Sequence, residues 1–576
     1  MNNVADMPLA HTELDAALQV LDDHKRLWVQ TTVQERLALL VRIKECLMPV
    51  AQDWAEAAAR KKGLPVGSPL AGEEWISGPY AVMAYCNATM QTLSKVAGRR
   101  HLEGLPQRDL PNGQLAVQVL PHSIWDHLLL SGVSAHVWMA PGVTRANLAQ
   151  HTASVYNTSA PPEGKVALVL GAGNIAAIAP LDCLHKLFVE NQVAILKMNP
   201  INAYLSEFLE AALAPLIERG FLRIVQGDVA VGQYLCHHDL VEAIHITGSG
   251  AAHDAIVWGS GSDATQNKLA GTPKNKRPIT SELGGVGPTI VVPGPWSDAD
   301  LRFQAEHVAT QKLHNSGFNC IACQVLILPK RWSLGSAFAQ HVNKALSSSS
   351  PRPLYYPGAK ARIAEFQNVT GLSAATQPTQ ASQCVVAPFD ARSDSRAESF
   401  EVFGPAMGIT ELDAGDAESF LIAAVEYANQ KLAGTLGANI LIHPRTIRQI
   451  GRKRFEVIIA ELHYGCIGIN AWSGLGFLSP TATWGAFPGH TLDDVQSGIG
   501  VVHNTLQFER AQRTVIEAPF KPFPRNLLSL SFSLLPRPPW FITNRRAHVL
   551  GRLLTQFQYR PSFTKLPLIF FNALRG

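Results

Sequence analysis

Hydrophobic residues near the start of the chain recur at the three- and four-residue spacing of a helix. The spacing runs through LDAALQVLDDHKRLWV and ERLALLVRIKECLMPVAQDWAEAAA, within residues 13–62. Residues 100–165 are interrupted by Pro and Gly and show no regular period. The pattern therefore predicts a helical start followed by an irregular stretch.

From residue 166 onward, short apolar runs alternate with helical segments. The runs VALVL, QVAILKMNP, FLRIVQG and AIHITGSG are typical of strands. Between them, IAPLDCLHKLFVEN and AYLSEFLEAALAPLIERG have helical periodicity, and Gly220 ends the second. This alternation predicts a parallel, doubly wound α/β sheet.

A second α/β pattern follows a polar excursion. Residues 251–280 are rich in Gly, Ser, Thr, Asn and Lys, and the new pattern begins at PTIVV and runs to about residue 475. The chain has 576 residues, enough for two to four domains. The sequence therefore predicts two α/β units in succession.

Composition excludes several classes of protein. A net charge of +4 is too weak to indicate a nucleic-acid partner. Eight cysteines in 576 residues do not form a disulfide framework. The first residues, MNNVADMPLAHTELDAAL, lack a basic segment followed by an apolar core, so we expect no signal peptide. A reducing cytoplasm is the expected location.

The C-terminal tail, residues 518–576, differs in charge. After Glu517 there is no acidic residue, while nine residues are Lys or Arg. One helical face is apolar, and comprises Val549, Leu550, Leu553, Leu554 and Phe557. A basic amphipathic segment indicates a peripheral membrane contact. The alternative, left open, is an extension that packs onto the body of the protein or a partner subunit.

Two glycine motifs follow predicted strands. GAGNIA fits the dinucleotide fingerprint GxGxxG/A, but the next strand ends in Lys197 where an ordinary Rossmann turn has an acid. This disfavours the ordinary Rossmann interpretation. The second motif, ITGSG at residues 246–250, would present backbone N–H groups to a phosphate.

The stretch HNSGFNCIACQ holds Cys320 and Cys323, and a CxxC has three interpretations. Half a zinc site would need a second ligand pair, and the only candidate, CHHD at 236–239, is too compact in sequence, so no metal site is predicted. A dithiol redox pair would begin a helix in a thioredoxin-like unit, which the pattern does not show. The remaining interpretation is that Cys320 acts as a single reactive thiolate and that Cys323 takes no part in the chemistry.

Several motifs, in this order along the chain, together resemble the aldehyde dehydrogenase superfamily over roughly residues 20–500. They are Asn174 at the family's interval before Lys197, ITGS, SELGG with Glu282, GFNCIA with Cys320, FEVFGP with Glu401 and Phe403, and YGCIGINAW.

The resemblance implies a role for each matched residue. Cys320 would be the nucleophile, Glu282 the general base, and Asn174 an oxyanion donor together with the Cys320 backbone N–H. The implied cofactor is NAD or NADP, with these contacts: Lys197 on ribose hydroxyls, Thr247, Gly248 and Ser249 under the pyrophosphate, and Glu401 and Phe403 at the nicotinamide ribose.

The resemblance also implies an architecture. We expect an aldehyde dehydrogenase-like α/β fold with a Rossmann-like cofactor domain, an α/β catalytic domain and a small oligomerisation element, assembled as a homo-oligomer. The expected divisions are N-terminal helices and cofactor domain at 1–285, catalytic domain at 286–475, a return to the cofactor and oligomerisation region at 476–517, and the tail at 518–576.

The implied function is NAD(P)-dependent oxidation of a small-molecule aldehyde to a carboxylic acid, with a hydrophobic aldehyde favoured if the tail touches lipid. One rival is an acyl-thioester reductase or CoA-acylating dehydrogenase on the same fold. Such enzymes usually lack the base, so Glu282 favours hydrolysis. A second rival is a non-catalytic, membrane-associated member of the family.

Overall fold

The computed structural model describes residues 11–158, 163–372, 384–392, 396–529 and 532–576. Residues 1–10, which belong to the stretch tested for a signal peptide, lie outside the described residues. The helices are α1 His11–Gln30, α2 Val33–Lys61, α3 Gly72–Trp75, α4 Ala81–Leu93, α5 Ile124–Leu129, α6 Ile178–Phe188, α7 Ser206–Ala212, α8 Ala214–Ile217, α9 Val229–His237, α10 Gly250–Trp258, α11 Ser262–Leu269, α12 Asp298–Leu313, α13 Gly335–Ser347, α14 Ala359–Val369, α15 Ala417–Lys431, α16 Pro444–Ile450, α17 Arg452–Ala460, α18 Gly474–Leu478, α19 Ala547–Tyr559 and α20 Leu566–Ala573.

The strands alternate with helices from β4 to β8. They are β1 Gln107–Asp109, β2 Leu115–Leu120, β3 Ser134–Met139, β4 Val166–Leu170, β5 Val193–Lys197, β6 Leu222–Val225, β7 Ala243–Gly248, β8 Ile279–Leu283, β9 Gly287–Val291, β10 Cys323–Pro329, β11 Val385–Pro388, β12 Ala406–Leu412, β13 Gly437–Leu441, β14 Cys466–Ile469, β15 Trp484–Gly485, β16 Gly498–Ile499, β17 Val501–Val502 and β18 Ala511–Glu517.

The predicted helical start is confirmed by α1 and α2. Helix α2 begins at a capping box in which the Thr32 side chain accepts from the Glu35 N–H and the Glu35 carboxylate accepts from the Thr32 N–H. Its apolar face, including Leu39, Leu40 and Ile43, is buried against the first core. Burial of this stripe, rather than helix propensity alone, holds the helix in place.

The first sheet has six strands in the order β16-β8-β7-β4-β5-β6. Strands β8, β7, β4, β5 and β6 run parallel, which confirms the predicted parallel sheet. Because neighbouring strands run the same way, their carboxyl ends share one edge. Asn174 follows β4 at that edge, Lys197 ends β5 and Gly248 ends β7.

The second sheet has ten strands in the order β1-β2-β3-β18-β14-β13-β9-β10-β12-β11. Its seven strands from β18 to β11 are parallel, and β1, β2 and β3 add antiparallel pairs at one side. Cys320 and Glu401 lie just before β10 and β12. The amino edge of this sheet therefore meets the carboxyl edge of the first sheet.

Two segments differ from the sequence prediction. The helix expected through residues 203–220 is divided into α7 and α8 at Leu213. Pro215, which has no N–H, lies in the first turn of α8, where its missing donor is tolerated. The polar segment 251–280 contains helices α10 and α11, and α10 is capped by the Ser249 side chain, which accepts from the Ala252 N–H.

The tail returns to the body of the protein. Leu550 and Phe557 of α19 are buried, and a Cβ atom on Gly72 of α3 would overlap the backbone of Ala547. Leu550 and Phe557 of the apolar face are thus covered by protein, Leu553 and Leu554 are partly covered, and the alternative of packing onto the body describes α19. Among the described residues, no helix combines the length and the apolar character needed to cross a membrane.

Candidate active site

A cavity of about 510 Å³ lies where the edges of the two sheets meet. This cavity is lined by all nine residues that the sequence analysis selected. They are Asn174, Lys197, Thr247, Gly248, Ser249, Glu282, Cys320, Glu401 and Phe403. Residues up to 229 positions apart in sequence, from Asn174 to Phe403, are therefore gathered in one place. The fold explains this convergence, because each residue lies at or next to the end of a strand.

A thiol and a carboxyl group face each other in this cavity. The Cys320 Sγ donates to Glu282 Oε1 across 3.5 Å. Glu282, on β8, is only 2% exposed, and its Oε2 makes no hydrogen bond within the described part of the chain. Burial, together with the charge of Asp182, raises the pKa of Glu282 to about 7. The carboxyl group is thus able to change its protonation state near neutral pH.

The thiol itself is held in its neutral form. Burial raises the pKa of Cys320 well above its usual range, and the nearby carboxyl groups of Glu282 and Glu401 act in the same direction. Proton transfer from Sγ to Glu282, or a positive charge brought into the cavity, would favour the thiolate.

Asn174 lies in the loop between β4 and α6. Its Nδ2 donates to the Phe318 carbonyl at 3.0 Å, two residues before Cys320. A primary amide has two N–H groups, so the second remains for a group in the cavity. The side chain is therefore tied to the loop that carries the thiol.

The carboxyl edge of the six-stranded sheet has the features of a nucleotide site. Lys197 ends β5 inside the cavity, where burial lowers its pKa although Asp228 opposes this effect. Gly248 and Ser249 lead into α10, whose first N–H groups lie at the same edge. Ligands of open α/β sheets bind beyond the carboxyl ends of the strands, and helix N-termini favour phosphate. These residues fit the pyrophosphate and ribose of a dinucleotide.

Glu401 lies beside the backbone of Gly284. A Cβ atom on Gly284 would overlap the Glu401 carboxylate, so only glycine admits this approach. Burial raises the pKa of Glu401 to about 7, against the opposing charge of Arg362. Arg362 donates to the carbonyl oxygens of Glu401 and Val402 and so holds the segment that carries Phe403.

A second, smaller cavity of about 50 Å³ lies on another side of Cys320. It shares Asn174, Glu282 and Cys320 with the large cavity. The rest of its wall is mainly apolar and includes Ile76, Ile178, Ile321, Trp472, Phe477 and Trp484. The thiol thus separates a wide, partly polar cavity from a small apolar one.

Of the two cysteines in the CxxC motif, only Cys320 lines these cavities. Cys323 begins β10 and is fully buried, and burial raises its pKa to about 11. A buried thiol of this kind is inert. This placement agrees with one working thiol beside a bystander.

Sequence reasoning missed Asp182 and Arg362. Asp182 is buried on α6 and accepts a hydrogen bond of 2.9 Å from the Thr247 hydroxyl. Its only sequence signal is an acid within the apolar run IAPLDCLHKLF. Arg362 belongs to α14 and reaches the site only through the fold, so the sequence offered no signal for it.

Comparison with known proteins agrees with the motifs. A model of the aldehyde dehydrogenase family matches residues 193–478. An aldehyde dehydrogenase from Craterostigma plantagineum is 25% identical over 397 residues, which cover 65% of this chain and 72% of that protein. A geranial dehydrogenase from Castellaniella defragrans is 26% identical over 281 residues, which cover 46% of this chain and 52% of that protein.

Solved structures share the fold. An aldehyde dehydrogenase of Mycobacterium tuberculosis complexed with NAD+ has a TM-score of 0.59 at 16% identity, covering 88% of this chain and 90% of that one. An NADP-dependent glyceraldehyde-3-phosphate dehydrogenase of Bacillus halodurans complexed with NADP has a TM-score of 0.56 at 19% identity, covering 88% and 91%. These likenesses show that the chain has the aldehyde dehydrogenase fold, in agreement with the family match over residues 193–478 and with the relatives.

Proposed function

We propose that this protein oxidises an aldehyde to a carboxylic acid with NAD+ or NADP+. The observation that carries the proposal is the 3.5 Å contact between Cys320 Sγ and Glu282 Oε1, with Asn174 on the same cavity wall. A thiol, a carboxyl group and an amide donor are the three groups that acyl chemistry through a thioester requires.

The first step is addition of the thiolate to the carbonyl. Cys320 gives its proton to Glu282, and Sγ attacks the carbonyl carbon to form a thiohemiacetal. Negative charge develops on the former carbonyl oxygen. The free N–H of Asn174 and the Cys320 backbone N–H donate to that oxygen, which stabilises the adduct.

The residues of the large cavity fit a nicotinamide dinucleotide. Lys197, Thr247, Gly248 and Ser249 would hold its ribose and pyrophosphate, and Glu401 and Phe403 would hold the nicotinamide end. When bound, the dinucleotide supplies an acceptor for the hydride that leaves the thiohemiacetal carbon. Support for this placement comes from the carboxyl-edge geometry and from relatives solved with NAD+ and NADP.

Hydrolysis of the resulting thioester requires a base. After releasing the proton of Cys320 to solvent, Glu282 would take a proton from a water molecule, whose oxygen attacks the acyl carbon. The acid leaves, and Glu282 returns the proton to the Cys320 thiolate. The pKa of Glu282, about 7, suits this work, because a base near neutral pKa is both available and effective.

An apolar aldehyde fits the small cavity best. Its wall beyond the reacting groups contains Trp472, Phe477 and Trp484, and burial lowers the pKa of the nearby His314 to about 4, so that ring is neutral at physiological pH. The names of two relatives, geranial dehydrogenase and coniferyl aldehyde dehydrogenase, indicate hydrophobic substrates for those proteins. We therefore propose uncharged aliphatic or aromatic aldehydes.

We also propose a homo-oligomer with the domain divisions given above, located in the cytoplasm. Seven cysteines are free thiols, which fits a reducing compartment; they are Cys46, Cys86, Cys183, Cys236, Cys320, Cys323 and Cys466. Size-exclusion chromatography with light scattering measures the assembly, and a monomer at every concentration would contradict it.

The decisive experiment is NAD(P)H formation from a chain-length series of aliphatic and aromatic aldehydes, with each cofactor. Cys320→Ala is assayed beside the unaltered protein. Turnover that is lost in the variant supports the proposal and identifies the substrate class. If no aldehyde is oxidised while an acyl-CoA thioester is reduced, the proposed direction of the reaction is wrong.

A further inference from the structure

The turn that precedes the thiol has an unusual backbone. Asn315, Ser316 and Gly317 have φ angles of 53°, 57° and 81°, so three consecutive residues are left-handed. Glycine adopts this conformation freely, whereas other residues do so at a cost of about 1 kcal/mol or more each. Such a turn persists only when surrounding contacts fix it.

Asn315 makes those contacts. Its backbone N–H donates to Glu73 Oε2 at 2.7 Å. Its Oδ1 accepts from Lys62 Nζ at 2.9 Å and from the Tyr355 hydroxyl at 3.0 Å. Its Nδ2 donates to two backbone carbonyl oxygens. Asn315 is 3% exposed, so these bonds are shielded from water.

Two buried ion pairs hold the partners of Asn315. Arg352 binds both oxygens of Glu73, at 2.6 and 3.0 Å, and Lys62 binds Glu74 at 2.9 Å. All four side chains are at most 6% exposed. Burial opposes ionisation of Glu73, yet Arg352, His314 and the Asn315 N–H lower its pKa to about 2. The acceptor of the Asn315 N–H is therefore a fixed carboxylate.

The Nδ2 atom of Asn315 connects this cluster to the site. It donates to the carbonyl oxygens of Phe318 and Asn174, at 3.0 and 3.2 Å. The Phe318 carbonyl also accepts from Asn174 Nδ2, and the Asn174 carbonyl also accepts from Tyr355. Asn174 is thus held at its side chain and at its backbone by the same group of residues.

We propose that Asn315 is a positioning residue, which fixes the Asn174 amide relative to Cys320 and is itself held by the Glu73–Arg352 and Lys62–Glu74 pairs. The inference rests on the proposed function, because it explains how the Asn174 amide is oriented towards the oxyanion that the proposed reaction forms. A misplacement of about 1 Å in such a constellation costs on the order of 100-fold in rate.

The test compares two substitutions one residue apart. Asn315→Gly keeps a left-handed backbone accessible and removes the amide. Ser316→Gly is the matched control, since it relaxes the same turn and removes no bond of the network. We expect kcat to fall about 10- to 100-fold in Asn315→Gly, with KM for the dinucleotide changed less than threefold, and to stay within twofold of the unaltered protein in Ser316→Gly.

Alkylation of Cys320 by iodoacetamide, followed by mass spectrometry at each pH, gives a readout independent of turnover. If the loop shifts, Sγ leaves Glu282 and its buried position, so the midpoint of the pH dependence moves down in Asn315→Gly. The buried cysteines should remain unmodified. Tyr355→Phe, which removes only a hydroxyl, should reproduce the change more weakly.

The outcomes separate this inference from the proposed function. If the unaltered protein oxidises no aldehyde but the alkylation midpoint shifts as described, the function is wrong and the positioning role stands. A kcat within threefold of normal with an unchanged midpoint overturns the inference. Alkylation of all cysteines alike in Asn315→Gly also overturns it, since this shows a general loss of structure.

Discussion

Asp182 and Glu282 are two buried carboxyl groups connected through one residue. Thr247 is the register partner of Glu282 across β7 and β8, and its hydroxyl donates to Asp182 at 2.9 Å. The charge of Asp182 adds to burial in raising the pKa of Glu282 to about 7. Helix α6 therefore contributes, through Asp182, to the raised pKa of the proposed base.

This relationship predicts a pH effect. Activity limited by hydrolysis should rise as pH passes through about 7, because the carboxylate form of Glu282 is the base. Asp182→Asn removes a negative charge, stabilises ionised Glu282, and should move the midpoint of the kcat profile to lower pH. Relative to its own plateau, kcat at pH 6 should rise a few-fold. A midpoint that stays or moves upward would contradict the assignment, and thermal unfolding of the variant serves as the control.

Removal of the base should stop the reaction at the thioester and slow the first half, because Cys320 must then give its proton to solvent instead of to Glu282. In Glu282→Gln, thioester hydrolysis loses its general base, and kcat should fall on the order of 10² to 10⁴-fold. A slower burst of NAD(P)H equal to the enzyme concentration should remain, and the acyl group should be detectable on Cys320 by mass spectrometry. Cys320→Ala, which should show no burst, is the control. Steady turnover without a burst would exclude Glu282 as the hydrolytic base.

Substitution of the buried Lys312 should stabilise the protein. Its side chain on α12 is fully buried, and its Nζ makes no hydrogen bond within the described residues. Lys312→Met keeps the length and removes an unsatisfied polar group, so the free energy of unfolding should rise by about 1–3 kcal/mol. Denaturant unfolding measures this free energy. Lys330→Met, at an exposed position, is the control and should change the free energy of unfolding by less than about 0.5 kcal/mol.

The same lysine gives this gain a pH dependence. Burial lowers the pKa of Lys312 from 10.5, so the unfolded chain binds the proton more tightly than the folded one. Stability of the unaltered protein should therefore increase as pH rises from the lowered pKa towards 10.5. The advantage of Lys312→Met should shrink over that interval. An advantage that is independent of pH would show that folding does not lower the pKa of Lys312 and that the side chain stays charged in the folded protein.

The contact between α19 and α3 predicts that the tail supports the site. A Cβ atom on Gly551 would lie 2.5 Å from the Trp75 Cβ, so Gly551→Val should displace α19 and destabilise the fold by about 1–3 kcal/mol. Because α3 carries Glu73, kcat should fall as well. Gln556→Leu, on an exposed position of α19, is the matched control for added apolar bulk. Normal kcat and melting temperature in Gly551→Val would show that the contact is dispensable.

Sequence reasoning found those site residues that lie in short motifs. Cys320, Glu282 and Glu401 stand beside glycines or at strand ends, where local patterns report both fold and chemistry. The Asn315 network could not be found in this way. Arg352 and Glu73 are 279 residues apart, and Asn315 and Glu73 are 242 apart. Only the packing of α3 beneath the turn brings their charges together, and no local spacing encodes that packing.

The same limit applies to the tail. Its amphipathic pattern correctly indicated a helix with one apolar face, but periodicity does not distinguish lipid from protein as the covering surface. Gly72 and Gly551 show that protein is the covering surface, because the absence of side chains at these positions allows α3 and α19 to approach closely. Leu568 and Phe571 of α20, and Leu574 directly after it, remain exposed.

The position of Cys320 between a wide and a narrow cavity has a kinetic consequence. A dinucleotide in the wide cavity and an aldehyde in the narrow one do not compete for space, so both can be present when the sulfur reacts. In the proposed reaction the acyl group would remain on the narrow side after the hydride has left, and the wide side would then be free to exchange its occupant. Water can therefore reach the thioester without passing the chain of the substrate.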